Sequence, residues 1–514
     1  MSKTFSRDEV SRHNKADDLW IVIDSVVYDL TRFLPAHPGG EHVLIEVAGK
    51  DATEEFYSLH RHEILKKFSK FAIGLVNGEK PKIQQEEGAI SKVPYAETAY
   101  WMGSKSPYYN ESHIAFKKAV REFVDTQLRP HAQEYEENGG KIAPELYQAM
   151  GRFGLLASRI GPGPHLKLVP NLPAGVKPEQ FDYFHEQIAH EEMARLGSSP
   201  GFSDGLGAGF VIGLPPVLAF GPAEMKKKIA PAVLLGDKRI CLAITEPYAG
   251  SDVANIRCTA TKTADGKHYI VNGVKKWITN GHFADYFVTA VRTGGKGHSG
   301  VSMLLIERSE GVETKQMKTS YSSAAGTAYV TFDNVKVPVE NLIGTENQGF
   351  PVIMFNFNHE RWYIISAINR SSRSVVEESF KWAVQRKVFG KPLIEQPVIR
   401  FKLAKMIAEV ESVQNWLESI TYNMTKMSYK EQSLHLGGPI ALLKYHSTRV
   451  AHNVSDDAVQ IFGGRAITKT GLGSVVEAAQ RTYKYASILG GSEEIMADLG
   501  VRMALKSFPK TARL

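Results

Sequence analysis

The stretch AITEPYAGSD at residues 243–252, with KKWITNG at 275–281 behind it, decides the fold of this chain. Residues 239–245, RICLAIT, read as a short strand. Gly250 and Ser251 follow it, offering backbone N–H groups and a hydroxyl to an anion such as a pyrophosphate. Gly-Ser turns are common, so this signal is weak alone. Trp277 and Thr279 alternate on a second strand, which points both side chains to one face. An indole beside a hydroxyl suits a flat heteroaromatic ligand, and it equally suits a core tryptophan.

Outward from these segments the texture stays β from 239 to 345, in KHYIVNGVKKWITN, YFVTAVR, SMLLIE and AYVTFDNVKVP. Before it the chain is helical. ESHIAFKKAVREFVDTQLRPHAQEYEE spaces Ile114, Phe116, Ala119, Phe123 and Leu128 at a helical period, and PEQFDYFHEQIAHEEMARLG repeats the habit after the loop GPGPHLKLVPNLPAGVK. After 345 long helices return. A helical domain at 108–238, a β domain at 239–345 and a helical domain at 346–508 make a three-part body with a tail at 509–514.

The chain has 514 residues, 43% hydrophobic and 23% charged, the balance of a soluble protein of several domains. Its net charge of +7 is spread out. The densest run, Lys226 to Lys228, reads as a solvated helix face, so nucleic acid is not an expected partner. The two cysteines, Cys241 and Cys258, lack metal-ligand spacing and suit a reducing compartment. No apolar stretch reaches the roughly 18 residues of a membrane span, the longest, AGFVIGLPPVLAFG at 208–221, being broken by Pro215 and Pro216. The first residues are unlike an acid-poor presequence. Ala512, Arg513 and Leu514 are similar to a Ser-Lys-Leu ending, which makes the peroxisome the expected location and the cytoplasm the second.

Residues 2–79 read as a separate α+β unit: a helix start at Ser6 and Glu9, two strands joined at Asp24 and Ser25, then short helices. In FLPAHPGG, Pro38, Gly39 and Gly40 turn the backbone sharply and leave the His37 imidazole projecting. FYSLHRHE adds His60 and His62. Two imidazoles on facing loops can clamp a haem iron from both sides, leaving no open position, which suits electron transfer. The unit resembles cytochrome b5, which implies haem b. Its first ligand falls on His37 and its second on His60 or His62, with His60 preferred because the F-x-x-Leu-His form is similar to the b5 domain of flavocytochrome b2. Residues 80–107 read as a linker. If flexible, its 28 residues reach about 30 Å; alternatively Tyr100 and Trp101 pin it to the body.

ITEPYAGSD, VNGVKKWITNG, FDNVKVPVENLIG, QRKVFGKPL and VQIFGG, in that order, resemble the acyl-CoA dehydrogenase family across 108–508. The resemblance implies an N-terminal helical domain, a central β domain and a C-terminal four-helix bundle. It implies FAD, an acyl-CoA substrate and a homotetramer or homodimer. Carried over as FAD contacts are Ile244, Thr245, Gly250, Ser251, Trp277 and Thr279. Arg386 and Phe389 would reach a neighbouring subunit's FAD, Gln460 and Gly464 its adenosine end, while Ser492 and Glu494 lie where the final loop closes over FAD. Val388 stands where some members have threonine.

α,β-Dehydrogenation of a thioester needs a carboxylate near the α-carbon. Many members place a glutamate where YASILGGSEEIM, residues 485–496, has Gly490; Glu493 is three residues away and poorly placed. In QGFPVIMFNFNHERWYIISAINR, Glu360 shares a helical stripe with Ile353, Phe357, Ile364 and Ala367, so it reads as buried or at a cavity wall, with a raised pKa. Pattern alone equally allows a carboxylate paired with Arg361. Isovaleryl-CoA and long-chain acyl-CoA dehydrogenases carry their base as a Glu-Arg pair in this helix, which implies Glu360 as base. The Gly490 N–H and a flavin ribityl hydroxyl would polarise the thioester oxygen. Electrons would pass to the chain's own haem, an electron-transfer protein or oxygen. Fused b5 and acyl-CoA dehydrogenase chains resemble fungal proteins of fatty-acid catabolism or of secondary-metabolite and toxin assembly. A peroxisomal oxidase, a nitroalkane-oxidising relative and a non-catalytic binding protein are the other readings.

Overall fold

The computed structural model describes residues 3–83 and 88–512. Arg513 and Leu514, two of the three residues of the expected targeting signal, lie outside them.

In the first unit strands Asp18–Ile23 and Val26–Asp29 pair antiparallel across Asp24 and Ser25, whose φ of 46° and 64° give the left-handed turn that suits a two-residue hairpin. Ala72–Val76 adds to this hairpin and pairs parallel with Thr4–Phe5. Leu19, Ile21, Ile23 and Leu34 fill the core beneath the short helices His42–Glu46, Thr53–Leu59 and Glu63–Lys67.

The segment after it is held against the body. Ser91 Oγ donates to Glu377 at 2.8 Å, and Arg373 donates to the carbonyls of Tyr95 and Glu97 at 3.0 Å each. Glu97 is buried among Lys117, Arg121 and Arg370, at 3.3, 2.6 and 3.3 Å. Tyr100 and Trp101 pack on the helical core, the second of the two arrangements expected.

Helices α1 (Glu111–Phe123), α2 (Tyr183–Ala194) and α3 (Ala208–Phe220) build the first body domain. His113 and His185 close capping boxes with Asn110 and Asp182, so this histidine-aspartate cluster serves the helix starts. Pro215 and Pro216 do not break α3; both lie inside it. Pro216 has no N–H for the Ile212 carbonyl one turn back, and Asn356 Nδ2 donates to that carbonyl instead at 2.8 Å. By length and composition Pro200–Phe220 is apolar enough to cross a membrane, with hydropathy 1.4, and 67% of it is buried inside the protein. The expectation that no stretch meets that test is corrected.

Residues 240–343 form an eight-stranded sheet around Phe287, Leu304, Ile306 and Val330. Its longest strands, His268–Ile278 and Ala328–Pro338, pair antiparallel and slip register between Lys275 and Ile278. The C-terminal domain packs α4 (Gly349–Gln385), α5 (Pro397–Lys426), α6 (Gly437–Phe462), α7 (Ser474–Ile488) and α8 (Glu493–Lys506). The α4 tryptophan Trp362 is fully buried and donates to Thr421 of α5 at 2.9 Å.

Candidate active site

Glu360 sits on α4 between the helical and β domains, in the stripe with Ile353 and Ile364, both buried. Its carboxyl is buried, and Oε2 has no hydrogen-bond partner among the described residues. Desolvation pushes its pKa up, the charges of Arg361, Lys444 and His359 pull partly back, and it comes to about 7. Glu360 lines a cavity of about 1840 Å³ whose wall also includes Thr279, Tyr363, Ile364 and Leu489.

The glycine loop closes over this carboxyl. Gly490 has φ 63°, and a Cβ there would stand 3.7 Å from Glu360 Oε1 and 2.9 Å from Ile364 Cδ1. Arg361 acts on Glu360 through its charge alone, since its Nε donates to the Gly490 carbonyl at 2.9 Å. Lys444 Nζ, on α6, donates to the Gly491 carbonyl at 2.5 Å. Burial and the neighbouring Arg361 lower its pKa to about 8. Glu493 turns toward Arg449, 3.6 Å away, and Lys484. Ser492 stands just before α8 without a side-chain capping bond, and Glu494 is exposed on the helix's first turn.

The two segments that opened the sequence lie side by side. The Lys276 N–H donates to the Thr245 carbonyl at 2.9 Å, and Lys275 Nζ donates to the Ile244 carbonyl and to Glu246 at 2.9 and 2.8 Å. Glu246 also accepts the N–H groups of Arg257 and Cys258. This buried pair sets the shape of the turn that ends in the exposed Gly250 and Ser251. Regular alternation at Trp277 and Thr279 is corrected: the bulge puts Trp277 at φ 64°, with its indole half exposed, while Thr279 lines the cavity. An exposed aromatic face beside an accessible hydroxyl fits a flat ring system entering between Trp277 and Glu360.

Arg386, Gln460 and Gly464 gather elsewhere. Arg386 and Arg465 lie over the Trp382 ring, 5.9 and 4.9 Å from its centre, and Trp382 Nε1 donates to the Ile461 carbonyl. Arg386 follows Glu360 by 26 residues, about 39 Å along a helix at 1.5 Å per residue. Phe389 tips a hairpin at φ 49° and is 96% exposed, an aromatic side chain left bare among the described residues.

In the first unit the rings of His37 and His60 are 6.2 Å apart, with planes at 78°. Two imidazoles held by one metal through bonds of about 2 Å on each side take this separation. The Gly40 carbonyl lies 3.0 Å from His37 Nδ1, which leaves Nε2 to face inward. Burial and the His37 charge lower the His60 pKa, favouring the neutral imidazole. His62 instead contacts Tyr57 Oη through Nδ1 at 2.8 Å. The adjacent Arg61 is paired with Glu378 of α4 at 2.6 Å.

Lys444, Asn356 and the Glu246–Lys275 pair escaped the reading of the sequence. Lys444 could have been found: Ile440, Ala441, Ser447, Thr448 and Ala451 mark the buried stripe of α6, and a lysine in it needs a reason.

Family profiles match in chain order. The cytochrome b5-like heme/steroid binding domain covers residues 6–77, and the acyl-CoA dehydrogenase N-terminal, middle and C-terminal domains cover 110–237, 241–335 and 347–505. An acyl-CoA dehydrogenase of Emericella nidulans is 43% identical, over 82% of this chain and 97% of its own. One of Alternaria alternata is 38% identical, over 80% and 95%. The solved Bacillus anthracis acyl-CoA dehydrogenase complexed with FAD is 26% identical with TM-score 0.69, over 78% of this chain and 69% of that one. The chain belongs to the acyl-CoA dehydrogenase family, FAD-dependent oxidoreductases acting on CH–CH bonds, and carries a haem-binding cytochrome b5-like domain ahead of it.

Proposed function

We propose that this chain converts an acyl-CoA to the 2-enoyl-CoA with Glu360 as the base and hands the electrons to its own haem. The observation that carries the reading is the unpartnered, buried Glu360 carboxyl in the cavity lined by Thr279, beside the glycine loop. Glu360 takes the α-proton, and a pKa near 7 makes it a stronger base than a surface carboxylate. The Gly490 N–H polarises the thioester oxygen, while Arg361 and Lys444 hold the loop by its carbonyls. FAD, when bound, supplies hydride acceptance, with Trp277 and Thr279 as its contacts. His37 and His60 ligate the haem, and His60 lines the same cavity as Glu360, which supports a relay inside the chain. The bare Phe389 and the distant Arg386, Gln460 and Gly464 support an oligomer in which these residues serve a neighbour's FAD.

Anaerobic addition of acyl-CoA should bleach the flavin and then reduce the haem. Glu360→Gln should slow flavin reduction by on the order of 10² to 10⁴ with FAD still bound. A haem that stays oxidised would exclude the relay and favour reoxidation by oxygen. Full activity in the variant would exclude the base.

A further inference from the structure

The cavity that holds Glu360 also has charged and phenolic groups in its wall. Asp204, Arg159, Tyr321, Tyr363 and Glu136 all line it, together with several serines. Asp204 is anchored at the flavin side: its carbonyl accepts from Asn280 Nδ2 at 3.0 Å, next to Thr279, and Asn280 Oδ1 accepts the Gly209 N–H at 2.8 Å. Arg159 is buried, spends Nη1 on the Leu206 carbonyl at 2.8 Å and leaves Nε without a partner. Tyr363 lies three residues past Glu360 on α4, and its phenol feels the charges of Asp204, Arg159 and Glu360 and a side-chain hydrogen bond with Arg159. Tyr321 stacks on Tyr485, with ring centres 3.7 Å apart, and closes the wall.

The Asp204 side chain has no hydrogen bond within the described residues. Burial and Glu136 hold its proton on to about pH 7, against the pull of Arg159. Near pH 7 it can therefore donate as the acid or accept as the carboxylate. The nucleotide of a CoA thioester is large, charged and kept near solvent. An acyl chain reaching past Glu360 would therefore run along the wall that holds Asp204 and Arg159.

Resting on the acyl-CoA reading above, we infer that the substrate's acyl chain carries oxygen, as a hydroxyl or keto group beyond the oxidised carbons, and that Asp204 and Arg159 select it. A plain alkyl chain would strip water from both groups and return no hydrogen bond. A hydroxyl or keto oxygen meets an acceptor and donors already in place.

The test uses the full chain with FAD and haem. Its probes are acyl-CoAs of equal length, one plain and the others bearing a single hydroxyl or keto group at successive carbons past the reacting pair. The wild type should favour at least one oxygenated member by about tenfold or more in kcat/KM. Asp204→Leu should reverse that order, and Asp204→Asn, which still donates and accepts, should keep most of it. Arg159→Met gives a second route should Asp204→Leu lose FAD. Equal or better oxidation of the plain chain by the wild type, or an unchanged ratio in Asp204→Leu and Arg159→Met, overturns the inference. If no acyl-CoA reduces the flavin, the parent reading falls, and the inference with it.

Discussion

A side chain at Gly490 would begin 3.7 Å from Glu360 Oε1. The glycine loop and the α4 carboxyl thus face one space, which has room for a carboxylate from one of them at a time. Gly490→Glu should leave FAD binding intact and hold the pair's shared proton to higher pH, because two carboxylates this close cannot both ionise. Flavin reduction at neutral pH should fall about tenfold or more, with the loss relieved in alkaline buffer. A neutral-pH rate equal to wild type would show that the loop does not approach α4.

As the proposed base Glu360 has to be deprotonated, so the rate of flavin reduction should rise with pH through about 7 and level off above it. Lys444 is one of the charges that hold this pKa down. Lys444→Met should move the inflection upward and, by freeing the Gly491 carbonyl, raise KM. A downward or absent shift would mean that Lys444 does not act on the base.

His37→Ala and His60→Ala should each abolish the haem absorbance of the purified chain while the flavin is still reduced by substrate. His62→Ala should keep the haem, since its ring is turned to Tyr57. Loss of haem in His62→Ala with retention in His60→Ala would reverse the assignment.

The Arg61–Glu378 pair is largely shielded from water, with side-chain exposures of 26% and 15%, so it outweighs a surface ion pair. Glu378→Arg should push the haem domain off α4. The radius of gyration from small-angle scattering should increase with the haem spectrum unchanged. An unaltered scattering curve would assign the docking to other contacts.

The parts of this protein that depend on local pattern were readable. His37 opens a proline-glycine turn, Glu360 interrupts an apolar stripe, and Gly250 and Ser251 follow a strand. Features made by residues distant in the chain were not. Asn356 replaces a bond that Pro216 removes, and nothing near either residue announces the other. Trp277 breaks strand alternation because its partner strand is one residue short, which only the ladder reveals. The prolines of α3 misled for the same reason: the donor that replaces the bond lost at Pro216 comes from a residue 140 positions later.

Glu97 gives the segment between the two domains a different meaning. Burial works to raise its carboxyl, yet Lys117, Arg370 and Arg121 bring it down to about 2, so it stays charged beneath the surface. Removing one member of such a buried network typically costs about 3–5 kcal/mol, since the remaining charges are left without compensation. Anyone wishing to express the dehydrogenase by itself should therefore cut near residue 88 and not at 108. The strap behind the haem domain is packed into the body of the enzyme.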